Sequence, residues 1–452
     1  MSKTFRPWDV DQPLLLAPSV QELVPAGHLA HFVRDTVRES LDLSAILGAY
    51  SEERGYPPYH PVMMVALLLY AYCQGLYSSR RIARACEERV DFMAVTAHQR
   101  PDFRTVSDFR KRHRQALGAL FGQVLRLCEA AGLVKLGHVA LDGTKLQANA
   151  SKHKAMSYGR MKRRESEWEA EVAEWLGRAQ AADAAEDGEF GADQRGDELP
   201  DWVANKQARL AKIREAMAAL EAEAAQAAAA AAPPEEPSDG PPEEGPGPSG
   251  EAGGEGPPGP APPDKAQRNF TDPDSRIMKT PDGFEQAYNA QAAVDAASQV
   301  IVAAGLTNVG NDKQQVAPMV AEIEAQTGRR PHEFSADSGY CSEDNLAALA
   351  ERGIRGYVAT GRQKHGQASA TGKGGRGGPH TQAMAQRLKR GGHRSRYRLR
   401  KQTVEPVFGQ IKAARGFRQF LFRGLEKVRE EWQLVCTAHN LLKLAGACGS
   451  RT

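Results

Sequence analysis

Three acidic side chains stand out by their positions. Asp142 closes the short β-type run His138-Val139-Ala140-Leu141-Asp142, and Asp337 closes a second run that begins at Glu333. Glu405 is the only acid in the 74 residues from Arg352 to Leu425, a stretch otherwise rich in Lys and Arg. Acids at strand ends can meet in space however far apart they are in sequence, because ligands of layered α/β sheets gather outside the carboxyl ends of the strands. Pro406 is tolerated in the first turn of a helix, which sets Glu405 at a helix start, where the dipole favours a carboxylate. Lys412, seven positions on, falls on the same helix face. Carboxylates of this kind are hard-oxygen ligands for Mg²⁺. Two such ions about 3.5–4 Å apart activate a water, steady a leaving oxygen and screen a phosphodiester, and Lys412 could reach a phosphate beside them. Taken singly, each acid is more often a cap, an ion-pair partner or a solvated residue. The chemistry rests on the three together beside a basic surface.

The elements that must hold these residues are legible in outline. Residues 1–135 read as helical. His28 to Leu47 is amphipathic, Pro61 opens an apolar helix through Tyr72, and Ser78 or Ser79 caps a helix carrying Arg80, Arg81 and Arg84. A further helix begins near Thr105 or Ser107 and carries Arg110, Lys111, Arg112 and Arg114; another runs from Gln115 to Ala131. Short helices with exposed arginines fit a helix-turn-helix DNA reader and fit a helical bundle with a solvated basic face equally well.

From Gly137 the texture changes to strands. Phe284–Val294 and Gln299–Thr307 read as strands around a turn at Asp295–Ser298. Asn311 or Asp312 caps a helix to Gln326, Glu333–Asp337 is a strand, Ser342 caps a helix, and Arg355–Thr360 is a further strand. A Gly/Lys/Arg-rich loop spans Gly361–Gly392, and helices follow over Thr403–Ala414 and Glu426–Ala445. Three strands followed by alternating strand and helix predict an α/β fold with a mixed sheet. This catalytic region comprises residues 136–153 and 266–452. Residues 154–265 interrupt it. They read as helices up to 232, over Met161–Leu176 and Val203–Ala232, followed by an acidic linker. Pro233–Pro263 contains 12 Pro, 8 Gly, seven acids and no Lys or Arg, too little apolar surface to fold.

The formal net charge is only +3, but Arg352–Arg429 holds 20 Lys and Arg against two acids, the footprint of a polyanion-binding surface. The cations expected to meet DNA are Arg80, Arg81, Arg84, Arg110, Lys111, Arg112, Arg394, Arg396, Arg398, Arg400, Lys401 and Lys412. No run of 18 apolar residues exists and Met1–Phe5 lacks a signal-type apolar core, which points to a cytoplasmic protein with no membrane partner. The six cysteines are scattered without a C-x-x-C pair, against both a zinc site and a disulfide framework.

Three blocks, Asp142-Gly143-Thr144, Ala336-Asp337-Ser338-Gly339-Tyr340 and Val404-Glu405-Pro406-Val407-Phe408-Gly409-Gln410-Ile411-Lys412, resemble the signature of bacterial insertion-sequence transposases of the DDE class. So do Tyr59-His60-Pro61, Phe103–Phe109, Arg423–Val428 and Thr437–Leu441, and the resemblance covers nearly the whole chain outside 154–265. It implies a ribonuclease H-like catalytic fold behind an all-α DNA-binding region. It also implies dependence on Mg²⁺ or Mn²⁺ as a pair of ions, and terminal inverted repeats and target DNA as substrates. A homodimer on paired ends and a bacterial, nucleoid-associated location follow the same resemblance. Asp142, Asp337 and Glu405 would then be the metal-binding triad, and Lys412 the lysine that follows the glutamate. The fuller pattern has a tyrosine and an arginine before the glutamate. Here Tyr397 and Arg400 keep their mutual spacing, Glu405 lies one residue farther on, and Lys401 stands at the expected arginine position. The competing readings are a metal-dependent nuclease without strand transfer and an inactive DNA-binding repressor.

Overall fold

In the computed structural model the described residues are 19–50, 57–190, 201–231, 261–280, 283–361 and 377–449. They form two compact units, one within Met1–Leu146 and Tyr288–Thr452, the other within Gln147–Ala287. The expected linker Pro233–Pro263 falls almost wholly outside the described residues.

The first unit begins with helices α1 (Val20–Leu23), α2 (Leu29–Glu39), α3 (Ser44–Leu47), α4 (Pro61–Cys73), α5 (Ser79–Glu88), α6 (Val90–Thr96), α7 (Phe103–Arg112) and α8 (Arg114–Ala130). The helix expected over His28–Leu47 is two, parted after Ser40. Asp102 rather than Thr105 or Ser107 caps α7, its carboxylate accepting the Thr105 N–H at 2.8 Å. The apolar α4 is buried almost throughout.

Strand β1 (His138–Gln147) leaves the first unit. In the second unit β2 (Ala155–Ser157) pairs antiparallel with β3 (Gln267–Asn269), and two long helices, α9 (Tyr158–Phe190) and α10 (Asp201–Ala231), run antiparallel. Ion pairs fix that direction, since Arg214 bonds Glu165 at 2.9 Å while Lys206 pairs with Glu171. Tyr158, Met161, Ile213, Ala216 and Leu220 form the buried seam. A hairpin joins β4 (Arg276–Thr280) to the start of β5 (Gly283–Asp295).

In the first unit β5 turns back antiparallel into β6 (Ile301–Thr307). Then follow α11 (Val316–Thr327), β7 (Glu333–Ala336), α12 (Glu343–Glu351), β8 (Arg355–Val358), α13 (Pro379–Gly391), α14 (Leu399–Gly409) and α15 (Leu425–Ala447). The strands lie in the order β6-β5-β1-β7-β8, with β1, β7 and β8 parallel. This mixed sheet has the ribonuclease H-like form that the sequence led us to expect. Helix α13 occupies the end of the stretch read as a loop over Gly361–Gly392; Pro379 at its first turn and the buried Met384 and Leu388 explain why it forms.

Helix α15 is the centre of the unit, packing on α8, α4 and β6. Its polar residues complete strand hydrogen bonds. Asn440 accepts the Ile301 N–H and donates to the Ile301 carbonyl, both at 2.8 Å, and Trp432 Nε1 donates to the Gln291 carbonyl at 3.0 Å. Fully buried Glu431 accepts the backbone N–H groups of Leu421 and Phe422 at 3.0–3.1 Å, which ties down the loop before α15.

Burial pushes the Glu431 carboxyl up to about 7 from an ordinary 4.5, against the opposing pull of those N–H groups and Arg110. Between these two values the folded protein keeps a proton that the unfolded chain has released, so stability falls as pH rises from 4.5 to 7. The expected loss is about 3 kcal/mol at this site. Urea unfolding across that window should show a fall smaller by about 3 kcal/mol in Glu431→Gln than in the native chain; equal pH dependence in both would show that Glu431 contributes none of it.

Candidate active site

The β1–β7 pairing spans only His138–Ala140, opposite Glu333–Ser335. Asp142 therefore sits mid-strand, not at the strand end the sequence suggested, but just past the paired segment, where the two parallel strands part. Asp337 does follow directly on β7. It caps the 3₁₀ turn Ser338–Tyr340 by accepting the Gly339 N–H at 2.8 Å.

Glu405 is not at a helix start. α14 begins at Leu399, after a 3₁₀ turn over Arg396–Arg398, so Glu405 and Pro406 are both interior. The helix tolerates the proline because the carbonyl it orphans, that of Gln402, accepts Gln299 Nε2 at 3.2 Å instead. A π turn, Gln410–Ala414, continues the helix and carries Lys412, whose ammonium donates to Thr144 Oγ1 at 3.0 Å and the Lys145 carbonyl at 3.3 Å on β1.

Arg400 links these parts. Its Nη1 donates to Asp142 Oδ2 at 2.7 Å and its Nη2 to Glu405 Oε1 at 3.3 Å. It is 8 % exposed, and its Nε has no hydrogen-bond partner among the described residues. Burial works against the charge, but Asp142, Tyr397, Asp337 and Glu405 together hold its pKa above the ordinary arginine value. Arg400 was expected to contact phosphate; this is corrected, because the side chain is buried and committed to two carboxylates. Lys401, the residue at the expected arginine position, is exposed. Helical periodicity decides between them: Arg400, Thr403, Val404, Val407 and Phe408 form the inward face.

A fourth acid, Asp312, belongs to the cluster. The sequence offered it as a helix cap, but α11 is capped at Gln315. Asp312 Oδ1 accepts Asn289 Nδ2 at 2.6 Å and Gln291 Nε2 at 2.8 Å, and lies 3.7 Å from Lys145 Nζ. Gly143 leaves room where these groups close over β1: a Cβ there would stand 2.5 Å from Gln291 Nε2 and 2.8 Å from Asn289 Oδ1, so a side chain would push both amides aside. The signal for Asp312 lay in β5, where Asn289 and Gln291 interrupt an alanine-rich buried strand two positions apart and so share one face.

Burial pushes the Asp142 carboxyl up to about 6; Arg400 and the Gly143 N–H oppose the shift, while Asp337 and Asp312 add to it. A half-buried group of mutually repelling carboxylates is a donor set that suits a hard divalent cation. Among the described residues, no three His, Cys, Asp or Glu side chains are already drawn into an ion cage, and Arg400 holds Asp142 and Glu405 instead.

The remaining expected DNA contacts divide by burial. Arg110 is a correction. It is 6 % exposed and donates to Tyr72 Oη, the Tyr77 carbonyl and Ser79 Oγ, so it is a core residue of α7 and no phosphate ligand. Arg80, Arg81, Arg84, Lys111, Arg112, Arg394, Arg396, Arg398 and Lys401 are exposed. Several have neighbours: Arg80 lies over Phe103, Arg84 pairs with Glu88, Lys111 with Asp108, and Arg396 with Glu333, while Arg112 donates to the Ala49 carbonyl. Lys412 is half-buried on β1. Among the described residues no helix is long and apolar enough to cross a membrane.

Residues 18–112 match the family described as Transposase domain (DUF772), and residues 263–441 match the Transposase DDE domain. Comparison with curated proteins and with solved structures gives no match. The second match includes Asp337 and Glu405 but begins beyond Asp142, which the sheet and Arg400 bring to them. The two matches together cover more than half of the sequence, and the chain belongs to the insertion-sequence transposases of the DDE class.

Proposed function

We propose that this transposase binds the terminal inverted repeats of its element, cuts DNA strands there and joins them to target DNA. The observation that carries the reading is the buried Arg400 holding carboxylates from β1 and α14 together at the end of the parallel strands, next to Asp337. Asp142, Asp337 and Glu405 would hold Mg²⁺ or Mn²⁺, as a pair of ions. When bound, the ions supply the activated water or hydroxyl and the charge screening that phosphodiester chemistry requires. The chain's own groups set the geometry. Arg400 fixes the spacing of Asp142 and Glu405, and Lys412 and Thr144 place a donor pair beside β1 for a phosphate oxygen. The helices within residues 1–135 would read the element ends while the basic stretch after Arg352 holds the backbone, on a homodimer bringing two ends together.

Asp142→Asn, Asp337→Asn and Glu405→Gln each remove one ligand charge with almost no change in volume. Each should lower cleavage of an end-labelled inverted-repeat substrate by at least a thousandfold and leave its binding within about threefold, as expected when only metal chemistry is removed. Cleavage close to normal in any of the three would take that residue out of the site. Cleavage without joining to a target plasmid would favour the nuclease reading.

Arg400→Gln leaves Asp142 without its buried partner. It should destabilise the metal-free protein by about 3 kcal/mol, and added Mn²⁺ should restore part of the loss. Unchanged unfolding midpoints, with and without Mn²⁺, would mean that Arg400 does not hold the cluster.

Exposed and buried cations should separate in a salt titration. Replacing Arg394, Arg398 and Lys401 together by Ala should flatten the log–log salt dependence of DNA binding by up to about three units. Arg110→Ala should leave that slope unchanged and instead cost about 1–3 kcal/mol of stability, because a buried and two half-buried acceptors lose their donor. A slope change with Arg110→Ala would return that residue to the DNA interface.

A further inference from the structure

The β5 side of the site holds polar groups that a three-carboxylate centre leaves unexplained. Asn289 and Gln291 are both fully buried, and both give an amide N–H to the same oxygen of Asp312. Lys145 brings its ammonium to within 3.7 Å of that oxygen, and Asp142 and Asp337 also act on its charge. The other Asp312 oxygen lies by Gly339, as Asp337 does: a methyl group there would stand 3.0 Å from Asp337 Oδ1 and 3.5 Å from Asp312 Oδ2. One acceptor is left over. Asn289 Oδ1 is buried without a hydrogen-bond partner among the described residues and points at the Gly143 backbone, beside Asp142. Buried acceptors are rarely left so, and the cation nearest to Asp312 is the Lys145 ammonium.

We infer that Lys145 is the resident counter-cation of the metal-free site, anchored on Asp312 and displaced when divalent ions bind the carboxylates. The inference rests on the proposed metal-binding reading of Asp142 and Asp337. Lysine suits the role because it is a compact charge on a flexible four-carbon stem that can leave without moving β1. Its single charge offsets carboxylate repulsion in the empty site, and a doubly charged ion at the same carboxylates repels it. Lys145 thus competes with the metal and lowers its affinity, whereas a merely supporting lysine would raise it.

The sign of the effect is the test. Mn²⁺ binding to the full chain, read from the free-ion electron paramagnetic resonance signal, would be compared for the native protein, Lys145→Met and Lys145→Arg. Lys145→Met should bind Mn²⁺ on the order of tenfold more tightly, and Lys145→Arg no more tightly than the native chain. A second measurement needs no variant: acetylation of Lys145, followed by mass spectrometry, should be several-fold faster with Mn²⁺ present. Unchanged or weaker binding by Lys145→Met, with Mn²⁺-independent acetylation, would overturn the inference and make Lys145 a structural support. If the native chain bound Mn²⁺ no better than Asp142→Asn does, the metal reading of the site would fall, and this inference with it.

Discussion

A guanidinium taken out of water between two carboxylates is the most demanding feature of the catalytic unit. Arg400 and Asp142 lose most of their solvation while Glu405 stays half exposed, and only close geometry offsets the cost to the buried pair. Arg400 meets the demand by dividing its fork, one nitrogen to Asp142 on β1 and one to Glu405 on its own helix. That arrangement requires α14 to lie at one depth and one rotation over the sheet. The inward face Val404, Val407 and Phe408 sets the depth. The Gln299 side chain on the Gln402 carbonyl lets the helix run through Pro406, and the π turn then takes Lys412 back to β1. Moving any of these would leave a charge without its partner.

The same economy governs α15. A helix buried against a sheet normally contributes apolar side chains alone, yet this one contributes Asn440, Trp432 and Glu431, each of which satisfies backbone groups of other elements. Asn440 occupies the place of a strand neighbour at the start of β6, near the register shift at Ala293/Val294. The helix thus finishes the edge of the sheet that carries Asn289 and Gln291, and so supports the floor under Asp312.

How much of this could be read from the sequence depended on whether a residue's role is local. Strands ending near acids, the apolar α4 and the paired helices of the second unit follow from period and composition, which act over a few residues. Asp142, Asp337 and Glu405 were legible as acids in unusual places. Arg400 and Arg110 were not legible as buried, because a run of basic residues looks alike whichever face of its helix points inward; for Arg400 the inward residues Val404, Val407 and Phe408 carried the missing information. Asp312 was hidden for a different reason. A cap and a cluster member have the same residue type at the same loop position, and only β5, in a neighbouring strand, tells them apart. The helix start expected at Glu405 does not occur because the cost of an interior proline is not purely local: Gln299, from another element, satisfies the Gln402 carbonyl that Pro406 leaves free.

The charge balance that results bears on the proposed substrate. Four carboxylates, Asp142, Asp312, Asp337 and Glu405, would alone repel a phosphodiester from the place where it must react. Lys145, Arg400 and Lys412 stand among them and remove most of that field before any ion is bound. The cations differ in how firmly they are held. Arg400 is fixed by two carboxylates, and Lys412 by a hydroxyl and a carbonyl on β1, whereas Lys145 is held mainly by charge, 3.7 Å from its nearest oxygen. A site that must exchange a protein cation for a metal ion needs one loosely held cation beside fixed ones, since releasing Arg400 would part β1 from α14. The gradation from Arg400 to Lys145 separates the charge that builds the site from the charge that can leave it.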